Sequence, residues 1–326
     1  MDRLKLIQAP ILKELEEQSV LLKESLKSQI PLIDAVVRYF LEKKGKMIRP
    51  ILVLLAAKLA GNGKVNLKTK NAAVALELLH NASLIHDDVV DEAHERRGHA
   101  SVNHVWDNKV AVLMGDFFLA RCLVKSTETE SLEIQKVLAE LASALSEGEI
   151  EQLANARGRV LSEDAYYSVI RNKTASLFVA CMKLGALSVD SSEESIRILA
   201  EFGDKLGIIF QIRDDIFDYY SDPEIGKPTG NDIREGKITL PLLYALIHGS
   251  GEEHERMMTL LEKEEFSKED IKLLVEYAKE NGGIEYAQAT MRRLAFEARN
   301  LLNYFPESPV KQAFFELVDY VIERKK

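Results

Sequence analysis

Two short runs of aspartate carry the clearest chemical signal in this chain. Residues 86–91 read HDDVVD and residues 213–218 read RDDIFD, so one Asp-Asp-x-x-Asp spacing occurs twice. Each run closes an apolar helical stretch, NAAVALELLHNASLI before the first and LGIIFQ before the second. On a helix, residues four apart share a face and the next residue lies about 100° round. Asp87 and Asp91 therefore project together with Asp88 beside them, and Asp214, Asp215 and Asp218 repeat the arrangement. Three carboxylates in one turn repel unless something neutralises them. One such run fits a solvated helix end; two in one helical chain fit a bound cation. Oxygen-only ligands suit Mg²⁺, which keeps several waters and shares its shell with phosphates. Neither run has the His/Cys spacing of zinc.

Basic residues flank both runs. Lys46 and Arg49 lie in GKMIRP, Arg96 and Arg97 follow the first run, and Lys173 sits in RNKTASLF. Lys227 and Lys237 bound a loop after the second run. Taken singly, each reads as a surface cation. Beside two acid clusters they suit two diphosphates, one bridged by metal ions and one held by Lys and Arg.

These residues need rigid elements to hold them, and the periodicity supplies helices. Ile11, Leu12, Leu15, Leu22 and Leu26 recur near every 3.6 residues, as do Leu76, Leu79, Ala82 and Ile85. Strand patterns are nearly absent, and the prolines fall mostly at helix edges. Loops are expected at 61–63, 96–98, 158, 190–192, 221–236, 249–253 and 281–283. The acidic stretch 251–270 reads as a solvated helix pair. No linker divides the chain, so the reading is all-α: one domain, 1–326, of about ten or more helices. Hydrophobic residues make up 46% of the 326, enough to fill a large core. The 43 Lys and Arg against 52 Asp and Glu give a net charge of −9, which argues against nucleic-acid binding. The two cysteines, Cys122 and Cys181, make no disulfide framework and read as core residues. The charged N-terminus is no signal peptide, and no apolar run reaches about 18 residues. The expectation is a cytoplasmic protein without a transmembrane segment.

With these motifs in hand, the sequence resembles the trans-isoprenyl diphosphate synthases, most closely the long-chain polyprenyl members. The matching pieces are GKMIRP, HDDVVDEAHERRG, GDFFLAR, GEIEQL, RNKTASLF, FQIRDDIFD and GKPTGNDIREGKITLP, in family order over roughly residues 45–241. The resemblance implies antiparallel helices around a deep central cavity, in a homodimer. It implies that Asp87, Asp88 and Asp91, with Asp214, Asp215 and Asp218, hold Mg²⁺, about three ions per site once substrates are bound. Arg96, Lys173, Lys227 and Lys237 would contact the allylic diphosphate. Lys46, Arg49, His80 and Arg97 would hold the diphosphate of isopentenyl diphosphate. Without the family, His80 would read as a core histidine. Thr174 and Gln211 would offer dipoles near the allylic cation formed when diphosphate leaves. Short-chain relatives place a bulky aromatic four or five residues before the first aspartate; here those positions are Ser83 and Ala82. A long product is implied, made from a preformed farnesyl or geranylgeranyl primer, with Phe117 or Phe118 as candidate floors.

Three other readings carry less. A terpene cyclase shares the metal chemistry, but its second motif is not aspartate-rich and it lacks GKxxRP. A regulatory subunit of a heteromeric synthase tends to lose one aspartate cluster. A metal phosphohydrolase built on His86, Asp87, His94, His99 and His104 leaves Asp214 to Asp218 unexplained. Within the synthases, a geranylgeranyl or farnesyl product is the alternative.

Overall fold

The computed structural model describes residues 3–42, 45–96, 98–220, 229–263 and 265–324. Among them the only strands are Glu95–Arg96 and His99–Ala100, a two-residue antiparallel ladder; the other regular elements are helices. The helical periodicity therefore reported the fold class correctly. The chain gathers into two compact units, each built from separate stretches. The first comprises Met1–Ala142, Phe178–Ala200 and Phe305–Glu316; the second comprises Ser143–Leu177, Glu201–Tyr304 and Leu317–Lys326. Four of the five boundaries fall inside helices, such as Leu132–Gly158 and Glu193–Phe217; the fifth, between Tyr304 and Phe305, falls at the turn before Pro309–Glu323. No glycine- or proline-rich linker marks the four boundaries within helices, whereas Pro306 and Pro309 follow the fifth.

The first unit is organised around the helix Leu67–Val90, 24 residues and about 36 Å long. A capping box starts it. The Asn66 side chain accepts from the Thr69 backbone N–H at 2.8 Å, and the Thr69 hydroxyl receives the Asn66 N–H. Ala72 to Ala82 are buried almost without a break, because the helix packs against both Ile48–Ala60 and Asn108–Thr127. Ile48–Ala60 is equally apolar: Leu52, Leu54 and Leu55 are fully buried, each worth about 1.5–3 kcal/mol. Where Leu67–Val90 meets Asn108–Thr127, a Cβ at Gly115 would stand 2.2 Å from His86 Nε2. Only glycine permits that approach, one residue before the first aspartate.

The second unit packs around Tyr219, Leu242, Leu246, Leu274 and Tyr277. The stretch 251–270 differs from expectation. It contains one helix, Glu252–Leu261, and only the start of another, Lys268–Glu280. Glu252–Leu261 is not simply solvated, since Met257, Leu260 and Leu261 are buried. Cys122 and Cys181 are free, buried thiols, as expected. Burial pushes Cys122 up to about 12, which leaves it inert as a nucleophile. Among the described residues, no helix is long and apolar enough to cross a membrane.

Candidate active site

In the first unit, the three aspartates at the end of Leu67–Val90 have distinct environments. Asp87 is half-buried, Asp88 is 2% exposed, and Asp91 caps the helix in solvent. Arg96 Nε donates to Asp88 Oδ1 at 2.5 Å. Burial nevertheless dominates and raises the Asp88 pKa above the ordinary carboxylate value, with Arg96 opposing it. Arg96 is aimed by its hairpin. Ser101 Oγ donates to the Ala93 carbonyl, Asn103 Nδ2 donates to the carbonyls of Asp88 and Ala93, and Tyr39 Oη donates to the Ala100 carbonyl at 2.7 Å.

A cavity of about 100 Å³ opens beside this hairpin. Glu77, Asn81, Leu84 and Asp88, spaced along one helix face, form part of its wall, with Arg96 and Met47. Met47 adopts φ 56° immediately before Ile48–Ala60, a left-handed conformation unusual for a side chain of that size. That turn carries exposed Lys46 and half-buried Arg49. His80 is 6% exposed within the helix, and Ser83 Oγ donates to its carbonyl. Ala82 is 3% exposed. Phe118 is fully buried, edge-on to Phe40 at 5.4 Å, whereas Phe117 is half-buried with Arg121 over its ring at 5.1 Å. Arg97 and Lys227 lie outside the described residues.

The second unit gathers the other half of the expected set. Lys173 and Thr174 lie in a π-helical turn, Arg171–Ala175, between the helices Glu163–Ile170 and Ser176–Ser188. Such turns recur at functional sites because they re-aim side chains. Gly148 allows it: a Cβ there would stand 2.9 Å from the Lys173 backbone N. Lys173 Nζ pairs with Glu149 at 2.5 Å. Thr174 donates to Gln211 Oε1 at 2.7 Å, and Gln211 Nε2 donates to Asp215 Oδ1 at 2.8 Å. Buried Tyr166 donates to Asp215 Oδ2 at 2.6 Å, so both carboxylate oxygens have neutral donors. Burial, with Asp215 beside it, pushes the Tyr166 hydroxyl well up, so it stays protonated and donates.

Asp215 is pushed up to about 8, first by burial and then by Asp232; Asp232 is pushed up to about 6 by burial and then by Asp218. Asp218 accepts from the backbone N–H groups of Asn231 and Asp232, at 3.0 Å each. Asp214 pairs with Arg324 at 2.6 Å. Lys173, Thr174, Gln211, Asp215, Asp232 and Lys237 share the wall of a cavity of about 230 Å³. Lys237 pairs with Glu235 at 2.5 Å.

The donor set fits Mg²⁺ in one respect: carboxylates raise one another's pKa, a cost that a divalent cation offsets. Among the described residues, no group of three or more His, Cys, Asp or Glu side chains converges as a preformed metal centre would. Sequence reasoning alone does not single out Tyr166, Asp232, Glu149, Asn103 or Arg324. Asp232 and Glu149 lie in the family-like motifs, and a carboxylate inside a basic loop is a usable signal. Tyr166 and Arg324 carry no local signal.

The family model described as polyprenyl synthetase matches residues 30–278. The chain belongs to the polyprenyl synthetase family. It is 36% identical over 300 residues to an octaprenyl diphosphate synthase of Haemophilus influenzae, covering 92% of this chain and 90% of the relative. Among solved structures, a geranylgeranyl pyrophosphate synthase from Bacteroides thetaiotaomicron superposes with a TM-score of 0.85 at 41% identity, covering 99% of this chain and 100% of that one. A polyprenyl synthase from Caulobacter crescentus CB15, complexed with calcium and isoprenyl diphosphate, gives 0.88 at 31% identity, covering 100% and 98%. The family identifies the chain as a prenyltransferase with the all-α isoprenoid synthase fold.

Proposed function

We propose that this prenyltransferase condenses isopentenyl diphosphate with an allylic diphosphate primer, farnesyl or geranylgeranyl, to give a long all-trans polyprenyl diphosphate. One observation carries the reading furthest: a single cavity wall presents two lysines, two carboxylates and the Thr174–Gln211 pair. Lys173 and Lys237 bind and orient the allylic diphosphate, exchanging Glu149 and Glu235 for phosphate oxygens. Arg96 exchanges Asp88 in the same way. Asp87, Asp88, Asp91, Asp214 and Asp215 hold Mg²⁺; the calcium in the Caulobacter relative supports a divalent cation. When bound, the metal neutralises charge that builds on the leaving diphosphate. Asp218 instead anchors the Gly230–Asp232 segment through backbone bonds. Its placement favours a supporting role.

The allylic C–O bond breaks to leave a carbocation, and the double bond of isopentenyl diphosphate attacks it. The released diphosphate takes the proton that is then lost. Thr174 donates to Gln211, so its oxygen lone pairs remain to face the cation. Val169, Ile170 and Ile238 give the cavity an apolar part that would exclude water from the cation. Lys46, Arg49 and His80 would hold the second diphosphate; on their motifs alone, Arg97 would join them and Lys227 would contact the first.

Product length follows Ala82 and Ser83, whose small side chains would admit a tail beside the first aspartate helix. Buried Phe118 is a better floor than half-buried Phe117. The geranylgeranyl product is the second reading, favoured by the 41% identity to the Bacteroides enzyme. Residues 1–326 act as one catalytic domain. Val112, Leu113, Leu123 and Val124, exposed at 42–66% along one helix, support a homodimer. The test is Asp87→Ala and Asp214→Ala, assayed at saturating Mg²⁺ with thermal melts alongside. Near-complete loss of turnover in folded protein is expected; near-normal turnover in either variant overturns the site.

A further inference from the structure

Asp214 differs from its neighbours in what holds it. Asp215 is held by neutral donors and Asp218 by backbone N–H groups. Asp214 is met by a guanidinium that arrives from the far end of the chain. Arg324 follows the last helix, Pro309–Glu323, and its Nη2 lies 2.6 Å from Asp214 Oδ1 and 2.9 Å from the Phe210 carbonyl. Its guanidinium stacks 3.7 Å above the Phe210 ring. Arg213 donates from Nε and Nη2 to the Arg324 carbonyl, at 3.2 and 3.0 Å. The Arg324 side chain is 8% exposed and that of Asp214 41%.

We propose that Arg324 is a built-in counter-cation for Asp214, engaged while the site lacks metal and displaced when a divalent cation binds there. Metal loading is thereby coupled to loosening of the chain's C-terminal end. The inference rests on the reading that Asp214 holds metal.

Electrostatics decides which group leaves Asp214. Arg324 pairs with Asp214 while Arg213, from the neighbouring position, donates to the Arg324 carbonyl, so two guanidiniums already gather at one carboxylate. A divalent ion at Asp214 would compete with the Arg324 guanidinium for the same carboxylate and would repel it at that distance. Arg324 is the cation able to yield, because Arg213 is fixed in the helix while Arg324 lies just beyond the last helical residue. Withdrawal costs the charge-assisted bond to Asp214, the bond to the Phe210 carbonyl and the stacking on Phe210. The Arg213 contact to the Arg324 carbonyl holds the backbone until the side chain has gone. Coupling between two ligands of one group is reciprocal: if metal weakens the Arg324 contact, removing Arg324 must tighten metal by the same factor.

The experiment titrates Mn²⁺, followed by electron paramagnetic resonance of the free ion, into substrate-free full-length protein. Arg324→Gln is expected to bind the ion about fivefold tighter or more. Equal or weaker binding overturns the proposal. Asp214→Asn separates the two levels of the argument. If it loses an ion while Arg324→Gln matches the parent, only the counter-cation fails; if it binds like the parent, the metal reading of Asp214 fails too. Should Arg324→Gln not fold, hydrogen exchange on the parent decides. The Arg324 amide, bonded to the Tyr320 carbonyl at 2.9 Å, is expected to exchange faster with Mn²⁺. Unchanged protection contradicts the proposal.

Discussion

Replacing Asp215 with Asn tests how the second aspartate cluster stores charge. Asp215 is 2% exposed and pushed up to about 8, against about 4 for a carboxyl in the unfolded chain. A raised pKa means the folded state binds the proton more tightly than the unfolded state. The stability from that difference is fully present below pH 4 and is lost as pH rises through 8. Between pH 6 and pH 8 the unfolded carboxyl is ionised while the folded one stays largely protonated. Each pH unit then removes up to about 1.4 kcal/mol, or about 2 kcal/mol across the window after allowing for partial titration near pH 8. Asp232, pushed up to about 6, adds loss of the same sign. The assay is chemical denaturation of metal-free protein at pH 6 and pH 8, parent against Asp215→Asn. Comparing the two removes the histidines that titrate in the same window. The parent is expected to lose about 2 kcal/mol more than the variant, and Mg²⁺ to stabilise the parent more at pH 8. Equal pH dependence in parent and variant would refute the reasoning.

Three further outcomes follow from the same geometry. Lys46→Ala and Arg49→Ala should raise KM for isopentenyl diphosphate far more than for the allylic primer, each contact being worth roughly 1.5–3 kcal/mol; equal effects on both substrates would reassign that turn. Ala82→Phe should shorten products to about three or four isoprene units, since one helical turn rises ~5.4 Å, close to one unit; unchanged product lengths would mean that the tail does not pass Ala82. Sedimentation should give a dimer that Leu113→Glu weakens, whereas a monomer at micromolar concentration would leave the exposed Val112–Val124 stripe without that explanation.

Much of the fold and site is legible in the sequence because the decisive signals are local. Helical periodicity declares the fold class, and the doubled Asp-Asp-x-x-Asp spacing with the motifs around it points to the family. What stays hidden depends on residues far apart in the chain. The π-helical turn at Arg171–Ala175 accompanies the close approach of Gly148, which no spacing reveals. Tyr166 acts on Asp215, 49 residues away, and Arg324 on Asp214, 110 residues away. Asp218 has the spacing of a third ligand, yet its oxygens receive the backbone of Asn231 and Asp232. Most unit boundaries leave no mark in the sequence because they fall within continuous helices such as Leu132–Gly158; the one between Tyr304 and Phe305 is followed by Pro306 and Pro309.

The central claim is a two-substrate condensation that lengthens a prenyl chain. Its most direct test measures diphosphate release from farnesyl diphosphate with and without isopentenyl diphosphate, followed by chromatography of the dephosphorylated products. The account predicts release only when both substrates are present, and products longer than the four-unit geranylgeranyl stage. Release from farnesyl diphosphate alone, with a cyclic hydrocarbon or a simple alcohol as product, would contradict it.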